Sequence, residues 1–283
     1  MEIVKVVADM QRRGETLRNQ GSRIGLVPTM GYLHEGHASL IRKAKELSDV
    51  VVTSIFVNPT QFGPDEDFER YPRDFERDKA IAAKSGADIL FCPEPAEMYQ
   101  EGYRTVVEPG AVSTILEGNI RPNHFRGVAA VVAKLFNITK PHVAVFGQKD
   151  AQQAFIIQQM VRDLNFDVLV VVAPIVREQD GLAMSSRNVY LKGDERKNAL
   201  VLSRSLVHAG ERVKTGETSV KKIKEEMLKI LSGGNPTSID YIAFVHLKTF
   251  EEAQTIESPD VLIVLAVRFG TTRLIDNAIV SVN

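Results

Sequence analysis

The sequence predicts an α/β protein, with a parallel sheet and crossover helices followed by a smaller α+β domain. Short runs rich in Val and Ile alternate with segments whose apolar residues recur at helical spacing. The 283 residues are 44% hydrophobic and 25% charged, which is an ordinary globular composition. The alternation stops near Arg177, where a polar segment and two charged helical stretches follow. We therefore expect two domains, residues 1–176 and residues 177–283.

Five strands and four helices are predicted in the first domain. Apolar, β-branched runs predict strands at residues 23–27, 50–57, 88–91, 143–146 and 167–172. Apolar residues three and four apart predict helices between them, at residues 36–47, 72–84, 125–138 and 150–164. Right-handed crossovers bring the carboxyl ends of the strands and the amino ends of the helices to one edge. Rossmann-like parallel sheets bind their ligands at that edge.

The second domain has a different pattern. Charged segments with helical spacing predict helices at residues 194–214 and 218–231, and apolar runs predict strands at residues 239–247 and 261–269. Residues 232–236, with two Gly and one Pro, end the second helix because these residues disfavour its continuation. These elements predict the smaller α+β domain.

Charge and composition exclude several classes of function. Thirty-five Lys and Arg against 36 Asp and Glu give a formal charge of −1, so no global charge excess would hold the chain on nucleic acid or an anionic membrane. The acidic residues 65–67 are interpreted as a solvated loop, and no metal site is predicted. Apolar runs are too short to span a bilayer, and the first residues lack the pattern of a secretory signal. With a single cysteine, Cys92, the chain is expected to be cytoplasmic.

The first predicted strand leads into a turn that indicates an anion site. A strand, a turn bracketed by Gly31 and Gly36, and a helix place backbone N–H groups and the positive helix end where an anion can sit. The glycines have phosphate-loop spacing, but His37 stands where that loop requires Lys. His34 and His37 can face the same ligand. Zinc ligation and an ordinary solvated helix cap are the alternatives.

Three further segments carry polar side chains near predicted strand ends. Asn58 and Gln61 follow the second strand and fit either a small polar substrate or a plain turn. Residues 118–149 contain no Asp or Glu and indicate a basic surface for a polyanion, ending at Lys149. Two hydroxyls and a guanidinium at residues 185–187 fit either phosphate binding or a turn into the next helix.

Together these motifs resemble one enzyme family. HEGH at residues 34–37 and MSSR at 184–187 are similar to the HIGH and KMSKS signatures of the nucleotidyltransferase superfamily, which includes class I aminoacyl-tRNA synthetases. The intervening segments resemble the pantothenate synthetases, namely FVNPTQF at 56–62, YPR at 71–73, HFRGV at 124–128, FGQKDAQQ at 146–153 and DGLAMSSRN at 180–188. The resemblance covers most of residues 24–190 and is weaker beyond them.

The resemblance implies an ATP-dependent condensation of (R)-pantoate with β-alanine, through a pantoyl adenylate, to give pantothenate, AMP and pyrophosphate. Attack of a carboxylate on the α-phosphate requires positioned donors and no covalent nucleophile on the enzyme. The implied ligands are ATP as substrate and Mg²⁺ held through the ATP phosphates. The implied partners are these small molecules and a second copy of the chain in a homodimer, with no nucleic acid and no membrane.

The resemblance also assigns residues. The catalytic set is His34, His37, Lys149, Ser185, Ser186 and Arg187, with His37 as proton donor. The ATP site adds Met30, Gly31, Tyr32, Leu33, Glu35, Gly36, Gly147, Gln148, Asp150, Val176 and Met184. The substrate set is Gln61, Gln153, Asn58 and Met30, and the C-terminal domain is expected to close over the site. The alternatives are another adenylyl-transferring nucleotidyltransferase and a non-catalytic ATP-binding module.

Overall fold

The structure is a computed structural model, which describes residues 1–64, 66–256 and 261–281. It divides into two compact units: unit 1 is Met1–Gly147 with Gln152–Pro174, and unit 2 is Gln148–Ala151 with Ile175–Asn283. The short segment 148–151, which is predicted to lie in the first domain, thus groups with unit 2. Three parts of the predicted regions lie outside the described residues, namely Asp65 of the acidic loop, and residues 257–260 and 282–283 of the predicted second domain.

In its described part, unit 1 is built on a six-stranded parallel sheet. The strands are β1 (Glu2–Val4), β2 (Ile24–Thr29), β3 (Val50–Ile55), β4 (Ile89–Phe91), β5 (Val143–Gly147) and β6 (Leu169–Ala173). They hydrogen-bond in the order β1-β4-β3-β2-β5-β6, and each neighbouring pair is parallel. After β4 the chain returns past β2 to build β5 and β6 on its other side. The strand order therefore reverses between β2 and β5, where such sheets open a ligand crevice at their carboxyl ends.

Helices cover both faces of this sheet, so its central strands β2, β3 and β5 are mostly buried along their length rather than alternating between buried and exposed residues. The helices are α1 (Val7–Asn19), α2 (Glu35–Leu47), α3 (Phe75–Ser85), α4 (Pro95–Met98), α5 (Glu117–Ile120), α6 (His124–Thr139) and α7 (Ala151–Asp163). Leu26 packs in a core cluster with residues of α1 and α6, and the next residue, Val27, packs in a second cluster with residues of α2 and α3. Successive strand residues thus fill opposite cores. The predicted Rossmann-like α/β class is confirmed.

Unit 2 has one core cluster in its described part, between a three-stranded antiparallel sheet and its helices. The sheet consists of β7 (Ser238–His246), β8 (Val261–Phe269) and β9 (Thr272–Val280), and the helices are α8 (Asp194–Asn198), α9 (Val201–Lys214) and α10 (Val220–Ser232). The single helix predicted over residues 194–214 is divided, because the N–H groups of Leu200 and Leu202 bond to the third residue before them, as in a 3₁₀ turn. Among the described residues, no helix is long and apolar enough to cross a membrane.

Candidate active site

The turn between β2 and α2 brings two histidines together. His34 stands in extended conformation as the residue before α2, and its backbone N–H donates to His37 Nδ1 over 3.3 Å. The two ring centroids are 4.1 Å apart. Because Nδ1 of His37 accepts a hydrogen bond, the proton of the neutral ring lies on Nε2, which makes Nε2 a donor. Both imidazoles therefore stand at the positive end of a helix, where an anion is favoured.

A buried carboxylate fixes the shape of this turn. Asp78 of α3, which is 1% exposed, accepts the N–H of Tyr32 at 2.7 Å with one oxygen and the N–H of Leu33 at 2.6 Å with the other. Burial raises the pKa of the Asp78 carboxyl, and the two backbone donors act against that rise. Gly31 has φ +86°, and a Cβ there would lie 3.0 Å from Asp78 and from Ile55. The positive φ favours glycine at this position, and these contacts leave little room for a Cβ.

These contacts correct one expectation about the anion site. The backbone N–H groups of Tyr32 and Leu33 donate to Asp78, and that of Gly31 donates to Thr29 Oγ1 over 3.1 Å. The turn itself therefore offers none of these three N–H groups to a ligand. The N–H groups in the first turn of α2, which begins at Glu35, are the ones that a helix leaves for an anion.

The turn after β3 holds Gln61 beside Met30. Asn58 is 1% exposed, and its Nδ2 donates to Gln61 Oε1 and to the carbonyl of Gly127, both at 3.1 Å. Its Oδ1 accepts from the hydroxyl of Tyr99 at 2.8 Å. Gln61 Nε2 donates to the Met30 sulfur over 3.1 Å. Both amide hydrogens of Asn58 are thus used inside the protein, so Asn58 supports Gln61, and its contact with substrate stays a prediction.

Helix α6 approaches this turn through a glycine. A Cβ on Gly127 would lie 2.4 Å from the carbonyl oxygen of Thr60 and 2.7 Å from the backbone nitrogen of Gln61. Real Cβ atoms do not approach backbone atoms so closely, so only glycine permits this contact. The Gly of the HFRGV segment therefore belongs to the packing that places Gln61.

A polar network supports the same turn. Arg121 donates to Glu66 with Nε at 2.8 Å and also with Nη2, and its Nη1 lies 3.1 Å from His124 Nε2. His124 Nδ1 lies 2.8 Å from the carbonyl oxygen of Gln61. Since a guanidinium only donates and a carbonyl only accepts, His124 is neutral with its proton on Nδ1. Burial and the Arg121 charge lower the pKa of His124 to about 4.

This network corrects the interpretation of residues 118–149 as a surface for a polyanion. Arg121 forms an ion pair with Glu66. His124 is 8% exposed and is uncharged near neutral pH. Glu66 itself is an ion-pair partner, so it is not part of a freely solvated acidic loop. Arg121 and His124 therefore do not contribute charge to such a surface, and the phosphate contact of Lys149 stays a prediction.

The adjacent glutamines of α7 have different surroundings. Gln152 is buried, donates to the carbonyls of Val112 and Ile115, and accepts from the N–H of Glu117. Gln152 therefore anchors the segment before α6. Gln153 is half-buried, which suits the substrate contact predicted for it.

In unit 2, a 3₁₀ turn (Gln148–Asp150) carries Lys149, whose Nζ lies 3.5 Å from Asp150 Oδ1. Asn277 of β9 donates through Nδ2 to the carbonyls of Gln148 and Lys149, at 2.9 and 3.0 Å. Gln148 Nε2 donates back to Asn277 Oδ1 over 3.1 Å. Asn277 therefore bonds both to the backbone of the turn that carries Lys149 and to the Gln148 side chain of that turn.

The segment with residues 176–188 is a folded hairpin in unit 2. The N–H of Met184 donates to the carbonyl of Val176 over 3.0 Å, and Arg177 pairs as a β-bridge with Ala183. A 3₁₀ helix (Ser186–Tyr190) follows, and Ser185 Oγ caps it by accepting the Arg187 N–H at 3.2 Å. The hydroxyls and guanidinium predicted to meet phosphate therefore stand at a capped helix start.

Sequence reasoning missed four supporting residues, namely Asp78, Tyr99, Asp276 and Asn277. Three of these four residues carry a signal in the sequence. Asp78 lies on the buried stripe of α3 with Ala82 and Ser85, where an acid is unusual. Asp276 and Asn277 interrupt the apolar pattern of β9 and are both buried.

Comparison with known proteins places this architecture in one family. A family model described as pantoate-beta-alanine ligase matches residues 2–279. Pantothenate synthetases from Acetivibrio thermocellus and Caldicellulosiruptor saccharolyticus are 52% and 55% identical over 282 residues, which is 100% of this chain and of each relative. The crystal structure of pantothenate synthetase from Thermus thermophilus has a TM-score of 0.91 at 44% identity, covering 98% of this chain and 99% of that one.

A second crystal structure extends the comparison. Pantoate-beta-alanine ligase from Francisella tularensis, complexed with beta-gamma ATP and beta-alanine, has a TM-score of 0.81 at 34% identity, covering 98% of this chain and 97% of that one. With a family match over nearly the whole length and relatives above 50% identity, the chain belongs to the pantoate–β-alanine ligase family.

Proposed function

We propose that the protein condenses (R)-pantoate with β-alanine, using ATP and a pantoyl adenylate, to give pantothenate, AMP and pyrophosphate. The family match over residues 2–279 is the observation that carries the proposal. The Francisella relative was crystallised with an ATP ligand and β-alanine, a nucleotide and an amine of the kind this reaction uses. The paired histidines at the start of α2 and the Met30–Gln61 contact support it.

In the proposed first half-reaction, a carboxylate oxygen of pantoate attacks the α-phosphorus, and the bond to the bridging oxygen of pyrophosphate breaks. Negative charge grows on the phosphate oxygens, so the protein must supply donors aimed at them. His37 Nε2–H is suited to this because Nδ1 is already occupied by the His34 N–H. The proposed phosphate contacts are His34, His37, Lys149, Ser185, Ser186 and Arg187, with Asp150 on the ribose.

The proposed pantoate site is formed by Gln61, Gln153 and Met30. Gln61 is 8% exposed and held by Asn58, so a ligand there meets an amide of fixed orientation. In the second half-reaction the amine of β-alanine attacks the acyl carbon of the adenylate, and AMP leaves with the oxygen that came from pantoate. Exclusion of water protects the adenylate from hydrolysis. Closure of residues 177–283 over the site stays a prediction.

The residues proposed to meet the ATP phosphates fit Mg²⁺ only indirectly. They are imidazoles, hydroxyls and cations, which suit phosphate oxygens rather than a divalent cation. Mg²⁺ commonly keeps several waters and binds through substrate phosphates, so the phosphates and water would hold it here. When bound, it neutralises phosphate charge. We also propose a homodimer and a cytoplasmic location.

A pyrophosphate exchange assay tests the proposal against its alternatives. Labelled pyrophosphate is expected to enter ATP only when pantoate is present, because exchange requires reversible formation of the adenylate. Addition of β-alanine is then expected to release AMP. Exchange without pantoate would favour another adenylyl-transferring enzyme, and neither exchange nor AMP release would favour a non-catalytic ATP-binding module.

A further inference from the structure

Two adjacent buried residues in unit 2 contact both of its segments that are proposed to bind ATP. Asp276 and Asn277 lie in the middle of β9 and are each 2% exposed. They pair with Leu265 and Val264 of β8, in a ladder that runs the whole length of β9. The large majority of buried polar side-chain atoms have a hydrogen-bond partner. Their partners therefore indicate what they do.

Asn277 uses its whole amide on the Lys149 turn. Both hydrogens of Nδ2 go to consecutive carbonyls, those of Gln148 and Lys149, and Oδ1 accepts from the Gln148 side chain. A 3₁₀ turn has weaker backbone bonding than an α-helix, so an outside donor to two of its carbonyls fixes its orientation. An aspartate in the same place has no hydrogen to donate and would set a carboxylate against two carbonyl oxygens.

Asp276 bonds to Arg177, in the hairpin of residues 176–188. Its two carboxylate oxygens accept from Arg177 Nη1 and Nη2, at 2.7 and 2.9 Å, in a bidentate pair. Arg177 Nη1 also donates to the carbonyl of Gly181 over 3.0 Å, inside the hairpin that leads to Ser185. One Asp276 oxygen accepts the backbone N–H of Asn277 at 2.8 Å as well. The two side chains are therefore parts of one connected arrangement.

We propose that Asp276 and Asn277 are positioning residues for ATP-dependent catalysis. Asn277 acts through Lys149, and Asp276 acts through Arg177 and the hairpin before Ser185. The inference rests on the proposed function and adds to it two residues that lie outside all the sequence motifs. A charge acts on a transition state only if it is placed accurately, and a rigid strand provides such accuracy.

The same sheet offers a matched control. Asp240 of β7 accepts from Arg273 Nε over 2.6 Å, so it is a half-buried aspartate paired with an arginine in this sheet. D240N and D276N therefore make the same chemical change at an arginine-paired aspartate of the same sheet. Only D276N touches the hairpin.

The test measures steady-state kinetics, the fraction of active enzyme and Tm for wild type, N277A, N277D, D276N and D240N. We expect kcat/KM for ATP to fall by roughly 10²-fold in N277D, and less in N277A, which removes the bonds without adding repulsion. D276N should lower kcat/KM for ATP, and D240N should lower Tm alone. KM for pantoate should not change in any variant. A purely structural role would reduce Tm and the active fraction and leave KM for ATP unchanged, which would overturn the proposal.

A double-mutant cycle with Lys149 tests the route of the effect. If Asn277 acts through Lys149, adding N277A to K149A should cause little further loss of kcat/KM for ATP. Multiplicative losses, or loss of folding in both Asn277 variants, would overturn the positioning role. Wild-type enzyme without pantoate-dependent exchange would instead refute the proposed function. The two failures are therefore distinguishable.

Discussion

Replacing Asp78 by asparagine tests how the turn that carries the two histidines is held. Asp78 accepts two backbone N–H groups, one on each oxygen. In D78N one oxygen remains, and the new NH₂ group faces the other donor, so that donor loses its acceptor. An unsatisfied buried donor costs about 1–3 kcal/mol. Removal of a buried carboxyl whose pKa is raised offsets part of this cost, so we expect a net loss of about 1–2 kcal/mol.

The assay combines Tm with turnover. Such a loss lowers Tm by about 2–8 °C in a chain of this size. Because the turn presents His34 and His37, kcat should also fall by roughly 10²-fold. D74N is the matched control, since Asp74 caps the same helix by accepting the Arg77 N–H, and Asn caps equally well. Wild-type Tm and kcat in D78N, or equal losses in D74N, would refute the reasoning.

Two further predictions concern the turn that carries Gln61. The folded-state pKa of His124, about 4, lies below its ordinary value of 6.5, so its contribution to stability is present above pH 6.5 and is lost as the pH falls through 4. The variant H124N keeps a donor toward Gln61 but has no imidazole to protonate. Its free energy of unfolding, measured by chemical denaturation, should fall less between pH 6.5 and 4 than that of the wild type, by on the order of 3 kcal/mol. The same dependence on pH in both proteins would count against a buried neutral His124. The variant G127A should have a free energy of unfolding lower by about 1–3 kcal/mol or more and a higher KM for pantoate, because the added methyl would lie 2.4 Å from the carbonyl oxygen of Thr60. Wild-type values in both measurements would contradict the packing argument.

The parts of the fold that were predicted have strong local patterns. Strand β3 begins with three valines, β5 is apolar up to Gly147, and α2 and α6 carry apolar residues at helical spacing. The parts that were missed lack such patterns. β1 has three residues, and α1 is largely polar with Gly14 in its middle, where a Cβ would lie 2.9 Å from the carbonyl of Thr139. Tertiary contact, which no local pattern encodes, decides that helix.

The candidate site also contains residues that local sequence motifs predict and residues that they do not. The segments with Gly31, His37 and Lys149 were found because each is a short motif at a predicted strand end. Their partners were not, because they are distant in sequence: Asp78 is 46 residues from Tyr32, and Asn277 is 128 residues from Lys149. A long-range hydrogen bond leaves only an unexpected polar residue in an apolar pattern. The structure is needed to show what that residue holds.

The route of one oxygen atom tests the central claim most directly. Pantoate labelled with ¹⁸O in its carboxyl group would be incubated with ATP, β-alanine and the enzyme, and the products would be analysed by mass spectrometry. If pantoate attacks the α-phosphorus and β-alanine then displaces AMP, one ¹⁸O atom must appear in AMP and none in pyrophosphate. AMP without label, or label in pyrophosphate or inorganic phosphate, would contradict the pantoyl adenylate.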